Sequence, residues 1–193
     1  MNDNAEILST ICNALSTKGV VEASAVVQQH YPFIRQQPVA TRSFSEKQAF
    51  KIFMRDGFVD RYSGERLVFP AALRILTYSM PDTFPFHRNW KMDKTHQAYW
   101  ELFPTLDHIV PAACGGLDDE SNLVTTSMLR NSAKANFSLK ELDWSLHPAG
   151  DMRTWDGLVG WCLDFVQQNQ QLASEAYIGR WCRVAQELHK KDV

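Results

Sequence analysis

The stretch that decides the fold is Thr105 to Lys134, TLDHIVPAACGGLDDESNLVTTSMLRNSAK. Asp107 and His108 sit side by side in a short apolar run with Leu106, Ile109 and Val110, which predicts a strand that Pro111 ends. Neighbouring strand side chains point opposite ways, so this pair shares one site only where the strand ends or bulges, and Pro111 supplies such a distortion. Gly115-Gly116 and the acidic Asp118, Asp119 and Glu120 read as a loop. Ser121 or Asn122 then offers an N-cap for a helix expected to run through Met128 towards Lys134. On that helix Ser127, Asn131 and Lys134 recur at i, i+4 and i+7 and share one face. A polar stripe of this kind needs a polar partner.

The order D-H-I-V-P, G-G, N-L, R-N-S-A-K resembles the HNH endonuclease family, over residues 50 to 66 and 101 to 144. The resemblance implies a ββα-metal core in which Asp107 and Asn131 bind one divalent metal and His108 is the general base. It further implies that Asn122 ties the loop to the strand as part of the catalytic set, and that Lys134 meets phosphate. The residue types suit that chemistry. Phosphodiester cleavage needs an activated water and neutralisation of phosphoryl charge, and an imidazole titrates near neutrality. A hard cation such as Mg²⁺, or Mn²⁺ or another divalent ion in its place, prefers oxygen ligands, so one carboxylate and one carboxamide are a plausible protein share.

A second segment, RDGFVDRYSGERL over residues 55 to 67, resembles the knuckle that precedes the site in this family. Many members carry structural-zinc cysteines at the positions held here by Asp60, Ser63, Ser127 and Arg130. Without thiolates or imidazoles there, no structural zinc is expected. Instead, an Asp60–Arg130 ion pair, with Ser63 and Ser127 hydrogen-bonding around it, is expected to replace the metal clamp.

Around these segments, residues 5 to 33 read as two helices with a break at Ser16 to Gly19, the first carrying Ile7, Leu8, Ile11 and Leu15 on one stripe. Few basic side chains accompany them, so core packing or self-association is expected before DNA reading. Ser43 or Ser45 is placed to cap a helix that buries Phe50, Phe53 and Met54, with Arg42, Lys47, Lys51 and Arg55 on its other faces. Residues 68 to 104 form an aromatic, proline-broken insertion. Its rings are expected to pack, and Arg88, Lys91 and Lys94 to contact nucleic acid. Ser138 and Glu141 form a capping box, Thr154 is read as the cap of a helix carrying Leu158, Trp161, Cys162 and Phe165, and Ser174 as the start of another.

The bulk properties constrain the partners. The 193 residues carry a formal net charge of -2, so any nucleic-acid contact must come from a local patch. The 4 cysteines are widely separated, the start MNDNAE is polar, and no apolar run suffices to span a bilayer, which favours a cytoplasmic protein with free thiols and no membrane partner.

The expected architecture is therefore α+β and helix-rich, with a ββα-metal core between flanking N- and C-terminal helices. It would be one compact domain over residues 1–193, made of a helical segment (1–40), a nuclease core with its insertion (41–150, insertion 68–104) and a C-terminal helical hairpin (151–193). The resemblance implies a metal-dependent endonuclease acting on DNA, double-stranded DNA being favoured, with a possible homodimer. The alternatives are an inactive nucleic-acid- or protein-binding module of the same fold, or a nuclease subunit active only in a larger restriction or defence assembly.

Overall fold

The computed structural model describes residues 4–33 and 44–189. The chain divides into two compact units, Met1–Pro38 and Val39–Val193. In the first, α1 (Asn4–Lys18) and α2 (Val20–His30) pack as a hairpin. The break between them is Gly19, whose φ of 86° lies in the left-handed region that a side chain disfavours. Arg42 and Ser43 lie outside the described residues.

The second unit is largely helical, with one small antiparallel sheet flanked by helices. Helix α3 (Glu46–Arg55) opens on a capping box between Ser45 and Gln48 and buries Phe50, Ile52 and Phe53. Helix α4 (Pro70–Ser79) follows, with Pro70 in its first turn. The short α5 (Ala98–Leu102) then leads into β1 (Pro104–His108), which pairs with β2 (Leu123–Ser127). The register places Asp107 opposite Val124 and His108 opposite Leu123. Two short helices come directly after the sheet, α6 (Met128–Lys134) and α7 (Leu139–Leu142), and α8 (Val159–Gln168) and α9 (Ala176–His189) complete the unit.

One apolar core joins α3, α4, α8 and α9. Phe50, Phe53, Phe58, Phe69, Leu73, Tyr99, Val159, Ile178 and Trp181 are buried in it. Its rings meet mostly edge to face, as their quadrupoles favour: Phe50 and Phe69 have centroids 5.5 Å apart at 66°. The insertion also packs by its rings, Trp90 lying 5.2 Å from Phe103 and Phe86 4.5 Å from Tyr99.

Two element boundaries differ from the sequence reading. The segment from Leu123 to Ser127 is a strand instead of the first turns of a helix, and α6 begins only at Met128, capped by the Ser127 hydroxyl accepting from the Arg130 amide. All five residues of β2 are buried, so the strand reads as a continuous run without the alternation that marks a half-exposed one. Similarly, α8 starts at Val159, not near Thr154. Gly157 and Leu158 are left-handed (φ 69° and 68°), which no α-helix sustains, and the Asp156 carboxylate accepts from the amides of Leu158 and Gly160.

What fixes β2 is polar. Among the described residues its far edge has no neighbouring strand, yet its outward groups find partners in the segment from Arg55 to Arg61. The Leu123 carbonyl accepts from the Arg55 guanidinium (2.6 Å), and the Thr125 amide donates to Asp56 Oδ2 (2.7 Å). The Thr125 carbonyl accepts from the Arg61 amide (2.9 Å), and the Ser127 amide donates to Asp60 Oδ2 (2.8 Å). Asp56 and Asp60 are completely buried. Two aspartates and two arginines thus stand in for a third strand, satisfying backbone groups that burial would otherwise penalise.

Candidate functional site

The hairpin from β1 to β2 and the helix behind it bring Asp107, His108, Asn122, Asn131 and Lys134 into one region of the second unit, but they face one another's supports. Asp107 Oδ2 accepts from the Tyr62 hydroxyl at 2.7 Å and lies 2.9 Å from the Lys134 ammonium. Lys134 has no exposed surface, and its Nζ also donates to the His108 carbonyl at 2.7 Å. The same ammonium sits 5.8 Å from the centroid of the Tyr62 ring. Lys134 therefore does not meet phosphate. It neutralises Asp107 from within, across the β1–α6 interface. Burial pushes the Tyr62 phenol well above its ordinary range, and the adjacent Asp107 carboxylate adds to that shift, so Tyr62 stays a donor.

The Asn131 carboxamide nitrogen donates to Thr105 Oγ1 (3.0 Å) and to the Leu106 carbonyl (3.3 Å), holding α6 against β1. Asn122 staples the loop. Its Oδ1 accepts from the Val110 amide (2.9 Å), while its Nδ2 donates to the carbonyls of Leu117 (2.9 Å) and Val110 (3.1 Å). Gly116 makes that closure possible, because a Cβ there would fall 1.8 Å from the Val110 carbonyl oxygen. His108 Nε2 lies 2.6 Å from Asp118 Oδ1, so a carboxylate of the loop orients this nitrogen of the imidazole.

The expected clamp takes another form. Asp60 binds the backbone of β2 and accepts from Thr126 Oγ1 (3.0 Å) and the Tyr62 amide (2.9 Å). Arg130 makes no ion pair with it and lies instead 5.8 Å from the Trp144 ring centroid. Ser127 caps α6, and Ser63 bonds to Glu65 at 3.1 Å. Sequence reasoning missed Asp56, Tyr62 and Asp118 as partners of the hairpin. The i, i+4 spacing of Asp56 and Asp60 was the one available signal, and it reads equally well as a solvated turn.

The metal-dependent reading is overturned. Among the described residues no group of three or more His, Cys, Asp or Glu side chains is placed to hold a metal ion. The geometry supplies the reason. A carboxylate already paired with a buried ammonium offers little attraction to a divalent cation, which would have to enter beside a like charge. The assignments of Asp107 and Asn131 as ligands to Mg²⁺ or another divalent ion, of His108 as general base in metal-dependent hydrolysis, and of the chain as an HNH hydrolase with a ββα-metal core are corrected accordingly.

The remaining candidates lie in the insertion. Arg88, Lys91 and Lys94 are all exposed, around the short helical turn Met92–Lys94. Their backbone is anchored where the His87 amide donates to Thr95 Oγ1 (3.1 Å) and the His96 amide to the Pro85 carbonyl (2.8 Å). No helix among the described residues is long and apolar enough to cross a membrane. No family model, no curated protein and no solved structure matches this chain, so the resemblance to the HNH endonucleases has no support from those comparisons.

Proposed function

We propose that this chain is a non-catalytic nucleic-acid-binding module that meets the phosphates of duplex DNA through the Arg88–Lys94 loop. The observation that carries the reading is the contrast in exposure: Arg88, Lys91 and Lys94 face solvent from an anchored loop, while Lys134 is sealed inside. Arg88, Lys91 and Lys94 outnumber Asp93 on one short segment and supply sequence-independent attraction to a polyanion, which the chain's formal net charge of -2 does not. Duplex is favoured over single strands because the neighbouring rings are committed to each other. Phe86 and Trp90 stack edge to face at 5.5 Å, and Phe84 stacks on His96 at 4.2 Å, so these rings are already engaged and do not wait for unstacked bases. On this reading the β1–β2–α6 unit is a frame, its polar groups holding the hairpin and helix together.

Fluorescence anisotropy with a labelled duplex tests it. Affinity is expected to fall with salt at a slope of about -3 in log–log form, and the Arg88→Ala/Lys91→Ala/Lys94→Ala variant to bind at least about tenfold more weakly. Equal binding by wild type and variant, or a preference for single-stranded DNA or RNA, sinks the proposal.

A further inference from the structure

Away from the basic loop, the end of α5 and the start of α6 flank an open surface pocket of about 320 Å³, lined by the exposed Glu65, Glu101 and Leu129 together with Leu102, Ser127 and Arg130. That volume falls in the lower part of the range of roughly 300–1,000 Å³ found for small-molecule sites. Three of its six lining residues are charged, with both signs present, yet they do not close on each other.

Arg130 is half-buried, and among the described residues its guanidinium makes no ion pair; its neighbour is the Trp144 ring. Among the described residues each glutamate carboxylate is held through one oxygen. Glu65 Oε2 accepts from Ser63 Oγ at 3.1 Å, and Glu101 Oε1 accepts from Gln97 Nε2 at 3.3 Å. Among the described residues no ion pair joins Arg130 to Glu65 or Glu101, which leaves the guanidinium fork and one oxygen of each carboxylate for a guest. We propose that this pocket binds a small, singly cationic ligand bearing one carboxylate and two cationic nitrogens, the charge set of a basic α-amino acid. The ligand carboxylate meets the planar fork of Arg130, which suits bidentate recognition. Its two cationic groups meet Glu65 and Glu101, and its methylene stem lies along Leu102 and Leu129. Two carboxylates and one guanidinium leave the pocket one negative charge, which the net positive charge of such a ligand offsets.

Isothermal titration of the full chain with L-lysine and L-arginine tests the proposal, with L-norleucine (no side-chain cation) and cadaverine (no carboxylate) as comparison ligands. At least one basic amino acid is expected to bind with a sub-millimolar Kd. Norleucine and cadaverine are expected to bind at least tenfold more weakly. Arg130→Gln is expected to remove the discrimination against cadaverine, and Glu101→Gln, on the exposed end of α5, to weaken lysine binding about tenfold while the circular-dichroism melting curve stays that of wild type. No heat with either basic amino acid up to ten millimolar, equal binding of norleucine or cadaverine, or unchanged lysine binding in a folded Glu101→Gln variant overturns it. DNA binding is read out separately, so failure here leaves the reading of the basic loop standing.

Discussion

The β1–β2 hairpin with α6 behind it and the insertion before it carry similar residue types and use them in opposite ways. In the hairpin and α6, Asp107, Asn122, Asn131 and Lys134 bond to one another or to the hairpin's own groups, and Lys134 is fully buried. In the insertion Phe84, Phe86, Trp90 and Phe103 pack against the core, while Arg88, Lys91 and Lys94 face solvent. A lysine therefore serves structure in one place and is free for a partner in the other. The difference is what the backbone brings near it: Asp107 and the His108 carbonyl converge on Lys134, whereas nothing acidic pairs with Arg88, Lys91 or Lys94 among the described residues.

Breaking the hairpin side of this comparison has the largest expected effect. Replacing Lys134 by Met leaves Asp107 as a buried, uncompensated carboxylate and is expected to cost about 3–5 kcal/mol in urea unfolding. A loss below about 1 kcal/mol would mean that water reaches the site. Asp60→Ala comes next. It removes the acceptor of the Ser127 amide, the Tyr62 amide and Thr126 Oγ1 together, with an expected cost of about 2–3 kcal/mol, and hydrogen exchange at Ser127 is expected to quicken before the rest of β2.

Alkaline pH sharpens the same contrast. The folded-state pKa of Tyr62 is raised by burial and by Asp107, so its contribution is complete below the unfolded phenol value of 10.0 and is lost as pH rises above it. Burial raises Tyr99 and Tyr177 in the same direction. Absorbance at 295 nm is expected to show these three phenols ionising only together with unfolding, and Tyr62→Phe to move the alkaline midpoint upward. The smallest stability effect belongs to the insertion. The triple alanine variant at Arg88, Lys91 and Lys94 is expected to melt within about 2 °C of wild type while losing its DNA affinity.

Local signals in the sequence were legible where one segment decides its own conformation. The capping boxes at Ser45–Gln48 and Ser138–Glu141 form, the break expected over Ser16 to Gly19 narrows to Gly19 because α1 runs on to Lys18, and Asp107 and His108 lie on a strand. The expected α+β, helix-rich class holds at that coarse level. Long-range polar pairing was not legible. The strand identity of β2 depends on Asp56 and Asp60, more than 60 residues earlier, and the burial of Lys134 depends on Tyr62, even further from it in the chain. The family resemblance failed for a related reason: a motif fixes which side chains share a neighbourhood, not whether they point at a guest or at each other.

The central claim is that Asp107 and Lys134 satisfy one another inside the fold, and a double-mutant cycle measures it most directly. Unfolding free energies of wild type, Asp107→Asn, Lys134→Met and the double variant are expected to give a coupling of at least about 2 kcal/mol, with the double variant more stable than Lys134→Met alone. A coupling near zero would contradict the account, because it would show the carboxylate and the ammonium to be independent, and the polar groups of the hairpin available to something outside the chain.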